Sequence, residues 1–214
     1  MPKKLTKEEE QARVLEMYRR ECELKNTGLN YIAGVDEAGR GPLAGPVYAA
    51  AVILKDNDII EGLNDSKKLS KKRREALFDE ICKRAVAYSV FSVDEKRIDE
   101  INILNATFEA MNGAVSGLTT APDYVLIDGN RIKGMSLPHE TIVKGDAKSA
   151  SIAAASILAK VSRDRYMDKM SELYPEYGFS KHSGYGTKEH TEALKKYGPC
   201  PIHRITFLKK ILGE

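Results

Sequence analysis

An apolar run that ends in two adjacent carboxylates and then breaks into glycines limits the folds open to this chain. Residues 31–45 read Tyr-Ile-Ala-Gly-Val-Asp-Glu-Ala-Gly-Arg-Gly-Pro-Leu-Ala-Gly. Tyr31 to Val35 has the character of a buried strand. Residues 46–54 are nearly all apolar, as a strand covered on both faces requires. The short turn between them predicts a hairpin-like antiparallel pair. On regular β structure Asp36 and Glu37 would point to opposite faces. If both serve one site, the strand must end or bulge there, a freedom that Gly39 and Gly41 supply. An Asp-Glu pair taken alone reads as two solvated acids. Arg40, between glycines whose bare amides can approach a ligand, favours a hard cation held beside a phosphate or sugar.

The rest of the chain alternates helix and strand patterns. Thr6 and Glu9 form a capping-box pattern before a helix over 7–25, which belongs to an N-terminal helical extension (1–28) with no assigned chemistry. Ser70 caps a helix to about Arg84, residues 85–93 are β-prone, and helical stretches run over 95–118 with Ile98, Ile101, Leu104, Phe108 and Met111 at helical spacing. Short strands at 124–128 and 140–143 precede a long helix over 147–173, a loop over 174–185, and helices from about 187 and 204. This is an α/β domain with a mixed sheet over 29–214.

Composition narrows the class. The 214 residues are 42% hydrophobic and 30% charged, which fits a globular chain with one sizeable core. No apolar run approaches the roughly 20 residues of a membrane span, and the N-terminus lacks a signal-peptide apolar region, so export is not expected. Cys22, Cys82 and Cys200 have no CxxC spacing and suit free thiols in a reducing compartment. The four histidines lack HxxxH or HExxH spacing, against a zinc site. Net charge is only +3, but residues 65–74 carry six basic residues and one acidic, and from residue 130 onward Lys and Arg outnumber Asp and Glu by 15 to 9. A polyanion is a reasonable partner.

One pattern repeats: a carboxylate directly after a buried strand, at Asp36 and Glu37, at Asp128 and at Asp146. Strand ends on one side of a sheet are convergence points for a ligand. Acids gathered there repel one another unless cations intervene, and oxygen ligands without His or Cys select Mg²⁺ or Mn²⁺. Two such ions roughly 3.5–4 Å apart can activate water and stabilise the leaving oxygen of a phosphodiester. Taken singly, each Asp reads as a turn or helix cap, and Asp146 in particular as the cap of the long helix.

The motifs carry a resemblance. Val35 to Val47, Asp65-Ser-Lys-Lys-Leu69, Ile127-Asp-Gly-Asn130, Lys144-Gly-Asp-Ala-Lys148, Ser151 to Asp164 and His182-Ser-Gly-Tyr-Gly-Thr187 resemble, in order and spacing, the ribonuclease HII (type 2 ribonuclease H) family over roughly residues 30–205. The resemblance implies a ribonuclease H-like fold, with a five-stranded mixed sheet flanked by helices and a helical C-terminal region. It implies a cytoplasmic, monomeric, metal-dependent endonuclease that hydrolyses the RNA strand of RNA–DNA hybrids. The same enzyme would nick at the 5′ side of single ribonucleotides in duplex DNA, leaving 3′-hydroxyl and 5′-phosphate ends. By position, Asp36, Glu37, Asp128 and Asp146 are the implied metal and catalytic carboxylates, for up to two Mn²⁺ or Mg²⁺ with substrate bound. Gly39, Arg40 and Gly41 are the implied reader of the ribose 2′-hydroxyl, with Tyr185 under the neighbouring deoxyribose.

Recognition of one ribonucleotide requires contact with its 2′-hydroxyl, and a glycine loop lets main-chain groups reach it. Without the family, Tyr185 reads equally as an ordinary loop aromatic. Lys67, Lys68 and Lys148 suit phosphates, although a basic helix start is ordinarily a solvated face; six cations at a helix N-terminus are unfavourable unless an anion is near. Lys160 and Asp164, four apart on a helix, read as a plain surface pair. The rivals are a non-catalytic hybrid binder, to which the acids would be a liability, and another two-metal nuclease such as a DNA resolvase or ribonuclease HIII. The latter is expected to carry an N-terminal substrate-binding domain, for which about 28 residues before the first strand are too few.

Overall fold

In the computed structural model, which describes residues 6–56 and 58–213, the glycine-rich turn joins β1 (Ile32–Ala38) to β2 (Val47–Ile53) as an antiparallel pair. β3 (Ala87–Val93) adds antiparallel to the other side of β2, and β4 (Tyr124–Asp128) and β5 (His139–Ile142) continue in parallel beyond β1. The product is the expected five-stranded mixed sheet, in the order β3-β2-β1-β4-β5.

The apolar β2 sits between two helical layers. Ala50 and Val52 pack with Ala153, Ala154 and Ile157 of α5 (Ala150–Leu173) and with Leu77 and Ile81 of α3 (Lys71–Arg84). Val47, Ala49 and Ala51 pack on the opposite face with Ala106, Ala110, Met111 and Ala114 of α4 (Glu95–Ser116). Alternation along the strand sends these sets to opposite faces, which is why neither position type can be polar. The alanine- and serine-rich start of α5 lies directly on β1. A Cβ on Gly34 would stand 2.1 Å from the Ser151 carbonyl carbon, so only glycine fits this crossing.

Several expected boundaries shift for local reasons. The N-terminal helix breaks at Tyr18 into α1 (Lys7–Met17), opened by the Thr6–Glu9 capping box, and α2 (Arg19–Lys25). In α4 the backbone at Asn102 turns to φ 66°, and Asn102 Oδ1 accepts from the Leu104 and Asn105 amides, starting a new helical phase. Ala106, Ala110 and Ala114 therefore face the sheet, while Leu104 and Phe108 are only half-buried. The long helix begins at Ala150, because Ser149 caps it by accepting from the Ile152 amide at 3.2 Å. Asp146 lies before it in a short 3₁₀ turn, Gly145–Ala147, and is not its cap.

Residues 174–185 hold a 3₁₀ turn and α6 (Phe179–His182); α7 (Lys188–Tyr197) and α8 (Ile205–Leu212) follow. Met167, Tyr177, Phe179, Leu194 and Leu208 form a C-terminal cluster with Ala44 of the glycine-rich turn. The C-terminal helices thus fold back onto the turn that follows Asp36 and Glu37. Among the described residues no helix is long and apolar enough to cross a membrane.

Candidate active site

Parallel pairing of β1 with β4 sets Val35 against Ile127. Asp36, next along β1, and Asp128, the last residue of β4, consequently fall beside each other on the same face of the sheet, and the Asp128 charge acts on Asp36. The Gly145 amide donates to Asp128 Oδ1 at 2.6 Å, which lays the turn carrying Asp146 against the end of β4. Asp36 is 5% and Asp146 6% exposed. Burial, then the charges of Glu37, Asp128 and Asp146, push the Asp36 carboxyl well above the usual carboxylate range. Burial likewise raises Glu37, against Arg40, and raises Asp146 together with Asp65 and Asp128, against Lys67. The four acids share one field.

The expected break of the strand at Asp36 does not occur. β1 runs on to Ala38, which pairs with Tyr48. Glu37 borders the same cleft as Asp36 and also a groove toward α4 that includes Asp128, Leu104 and Phe108. Each acid is engaged locally: Asp36 Oδ1 accepts from the Glu37 amide at 2.7 Å, Glu37 Oε1 lies 3.5 Å from Arg40 Nη1, and Asp146 Oδ2 lies 3.9 Å from Lys67 Nζ. Among the described residues no three acidic, His or Cys side chains are already closed into a metal cage. The donor chemistry still fits a hard divalent cation: four carboxylates, largely withdrawn from water, with more negative charge than their partners offset.

Gly39 to Gly41 borders this cleft. Gly39 has φ +99° and a Cβ there would meet Arg163 Nε at 2.2 Å, so backbone and packing both demand glycine. The Tyr185 ring lies over Gly41, with Cε1 3.5 Å from where a Cβ would stand. Tyr185 itself is 47% exposed, but its backbone is pinned. Its amide donates to the His182 carbonyl at 2.9 Å, and its carbonyl accepts from the Thr187 amide at 2.8 Å and from His190 Nδ1 at 2.9 Å. His203 Nδ1 accepts from the Cys200 amide at 2.9 Å, so His203 Nε2 carries the proton it shares with His190 Nε2 across 3.0 Å. Burial lowers both imidazoles, His203 to about 4. His190 and His203, separated in sequence, are therefore a buried hydrogen-bonded pair, with the His182 ring stacked on His190 at 4.7 Å between centroids.

The predicted lysines separate. Lys67 borders the carboxylate cleft, whereas Lys68 and Lys148 line an adjacent groove with Arg13 and Arg20 of the N-terminal helices. Lys160 and Asp164 are not a plain surface pair. Asp164 is 8% exposed and accepts from Lys160 Nζ at 2.5 Å and Ser183 Oγ at 3.2 Å, and Lys160 borders the cleft of Asp36. The N-terminal extension also reaches the site: Glu21 Oε1 accepts from Ser149 Oγ, the Ser151 amide and Ser151 Oγ at 2.6–2.9 Å, just after Asp146.

Sequence reading missed the buried arginines. Arg163 is 1% exposed and donates to the carbonyls of Pro46, Ala44 and Ser183 at 2.9–3.1 Å, tying the glycine-rich turn to the Tyr185 segment. It lay inside a recognised motif, but nothing in helical spacing marks a charged position as interior. Arg204 is fully buried beneath the same turn and had no local signal at all.

A family model described as Ribonuclease HII matches residues 33–210. A ribonuclease HII from Caldicellulosiruptor bescii is 62% identical over 193 residues, covering 90% of this chain and 94% of that one. Another from Acetivibrio thermocellus is 57% identical over 210 residues, covering 98% and 82%. Among solved structures, the ribonuclease H2 of Pyrococcus horikoshii superposes with a TM-score of 0.72 at 31% identity, covering 86% of this chain and 98% of that one. A mixed sheet with acids at its strand ends, a glycine turn beside them and this depth of similarity lead to one conclusion: the chain belongs to the ribonuclease HII family, endonucleases that cleave the RNA of RNA–DNA hybrids.

Proposed function

We propose that this enzyme is a divalent-metal-dependent nuclease that also nicks duplex DNA at the 5′ side of a single embedded ribonucleotide, leaving 3′-hydroxyl and 5′-phosphate ends. The observation that carries the reading is a glycine turn, with the Tyr185 ring over it, bordering the cleft of Asp36 and Glu37, while Asp128 and Asp146 act on the Asp36 carboxyl. Asp36, Glu37, Asp128 and Asp146 would hold Mg²⁺ or Mn²⁺, which when bound supplies Lewis-acid stabilisation of the scissile phosphate and activates water. The protein's own part is placement. Lys67 offers a cation to the phosphate beside Asp146, Lys68 and Lys148 track the backbone further along, and burial of the acids keeps the field strong.

Selectivity falls to Gly39, Arg40, Gly41 and Tyr185. Main-chain groups of the turn meet the 2′-hydroxyl, and the ring lies against the sugar on the 3′ side, where a deoxyribose fits. The free cysteines suit work in the cytoplasm. Incubation of the enzyme with duplex DNA carrying one ribonucleotide, with and without chelator, tests the reading. A chelator-sensitive nick 5′ to the ribonucleotide is expected; a nick elsewhere, or one indifferent to chelator, overturns it.

A further inference from the structure

Arg204 is 0% exposed, yet the hydrogen bonds of its guanidinium among the described residues all go to main-chain carbonyls. Its guanidinium is spent on the glycine-rich turn. Nε donates to the Gly45 carbonyl at 2.9 Å, Nη1 to those of Arg40 and Pro42 at 3.0 and 2.9 Å, and Nη2 to those of Gly39 and Gly45 at 2.6 Å each. Its own amide donates to the Leu43 carbonyl at 2.9 Å, fixing the root of the side chain to the same turn. Burial, together with the like charge of Arg163, pulls its pKa down to about 9, against the opposing charges of Glu95 and Asp99. A buried cation whose hydrogen bonds all go to neutral carbonyls is an expensive way to brace a loop, since apolar packing would do so without desolvating a charge.

The covalent geometry shows what the arrangement achieves. No peptide bond among the described residues is cis, and in a planar trans peptide the C=O and the following N–H point in opposite directions. Drawing the Gly39 and Arg40 carbonyls inward to Arg204 therefore turns the Arg40 and Gly41 amides outward. Neither amide has an acceptor among the described residues, and both residues are exposed beside Asp36, Lys67 and Tyr185.

We propose that Arg204 is a positioning residue for sugar recognition, which holds the Gly39 and Arg40 carbonyls inward so that the Arg40 and Gly41 amides are presented as donors to the ribose 2′-oxygen. This rests on the proposed reading of the turn and adds the residue that orients it. A lysine cannot reach four carbonyls from one ammonium, so Arg204→Lys should free the peptide planes while keeping the charge.

The test measures binding in an Asp128→Asn background, where cleavage does not intervene. Duplex DNA with one ribonucleotide is compared with the same duplex in all-DNA form, alongside thermal melting and the Mn²⁺ concentration dependence. Arg204→Lys is expected to lower the ratio of the two affinities by about tenfold or more, the loss of one or two hydrogen bonds, with the Mn²⁺ midpoint unmoved. A folded Arg204→Lys protein with an undiminished ratio overturns the proposal. Should it not fold, Arg204→Gln gives the same comparison, and failure of both to fold overturns it in favour of a purely structural role. If the Arg204 protein itself shows no preference for the ribonucleotide, the reading of the turn fails, and with it the role assigned to Arg204.

Discussion

Gly145 holds Asp128 through its backbone, donating its amide to Asp128 Oδ1 at 2.6 Å. It has no room for a side chain, because a Cβ would meet Ile152 Cδ1 at 2.6 Å and Asp128 Oδ1 at 3.2 Å. This contact links the end of β4 to the turn bearing Asp146, so the placement of one acid is tied to that of the other.

Replacement of Asp128 by Asn retains an Oδ1 that can accept from Gly145, and removes only charge and a metal-ligating oxygen. The variant should melt within a few degrees of the parent, yet lose cleavage by several orders of magnitude at any Mg²⁺ or Mn²⁺ concentration. Retained activity with normal metal dependence would remove Asp128 from the catalytic set.

Asp36 makes the opposite trade visible. Its raised carboxyl means that the folded chain disfavours the ionised form. Stability is therefore lost as pH rises from the unfolded carboxylate range through the raised folded value, and at neutral pH the metal-free fold carries this strain. Asp36→Asn should melt higher than the parent in chelator while being inactive, and Mn²⁺ should raise the melting temperature of the parent much more than that of the variant. Each kcal/mol recovered corresponds to roughly 2–4 °C in a chain of this size. Equal melting of both proteins in chelator would contradict the raised Asp36 carboxyl.

The parts legible in the sequence were those set by chain-local chemistry. β1 and β2 announce themselves by apolar runs around the glycine-rich turn, and Ser70 and Thr187 cap the helices that follow them. The carboxylates draw attention in the sequence because each closes or follows an apolar run, although Asp36 and Glu37 lie inside β1 and Asp146 sits in the turn after β5. What stayed hidden depends on long-range packing. Nothing near Arg204 forecasts that its guanidinium meets residues 39–45, more than 150 positions away. Glu21 reads as one more exposed helical acid until Ser149 and Ser151 come to rest on it. The phase change in α4 escaped because Asn102 takes a left-handed backbone inside a stretch whose apolar spacing looks continuous.

His203 makes stability pH-dependent. Its folded value, about 4, lies below the ordinary 6.5, so between these limits the unfolded chain takes up a proton that the folded chain refuses. Stability from this group is complete above about pH 6.5 and is lost as pH falls toward 4, with a slope of at most about 1.4 kcal/mol per pH unit. Unfolding by denaturant at stepped pH should show this decline. It should be shallower in His203→Asn, even though that variant is less stable throughout; an unchanged slope would mean that the His190–His203 contact does not require neutral rings.

Tyr185 allows the aromatic contact to be separated from the loop that carries it. The backbone bonds to His182, Thr187 and His190 survive any side-chain change, and the ring is 47% exposed, so Tyr185→Ala should cost little stability. Stacking or packing of a ring on a nucleotide contributes about 1–3 kcal/mol, which corresponds to a loss of roughly 5- to 150-fold in kcat/KM. The loss should be greatest at a single ribonucleotide, where the 3′ neighbour is a deoxyribose, and smaller on a continuous RNA–DNA hybrid. The hydroxyl makes no hydrogen bond among the described residues, so Tyr185→Phe should keep most of the activity. Steady-state kinetics on the two substrates decide the matter. An unchanged rate for Tyr185→Ala at the single ribonucleotide would leave the ring without a role in recognition, whereas equal losses on both substrates would make it a general contact rather than a sensor of the junction.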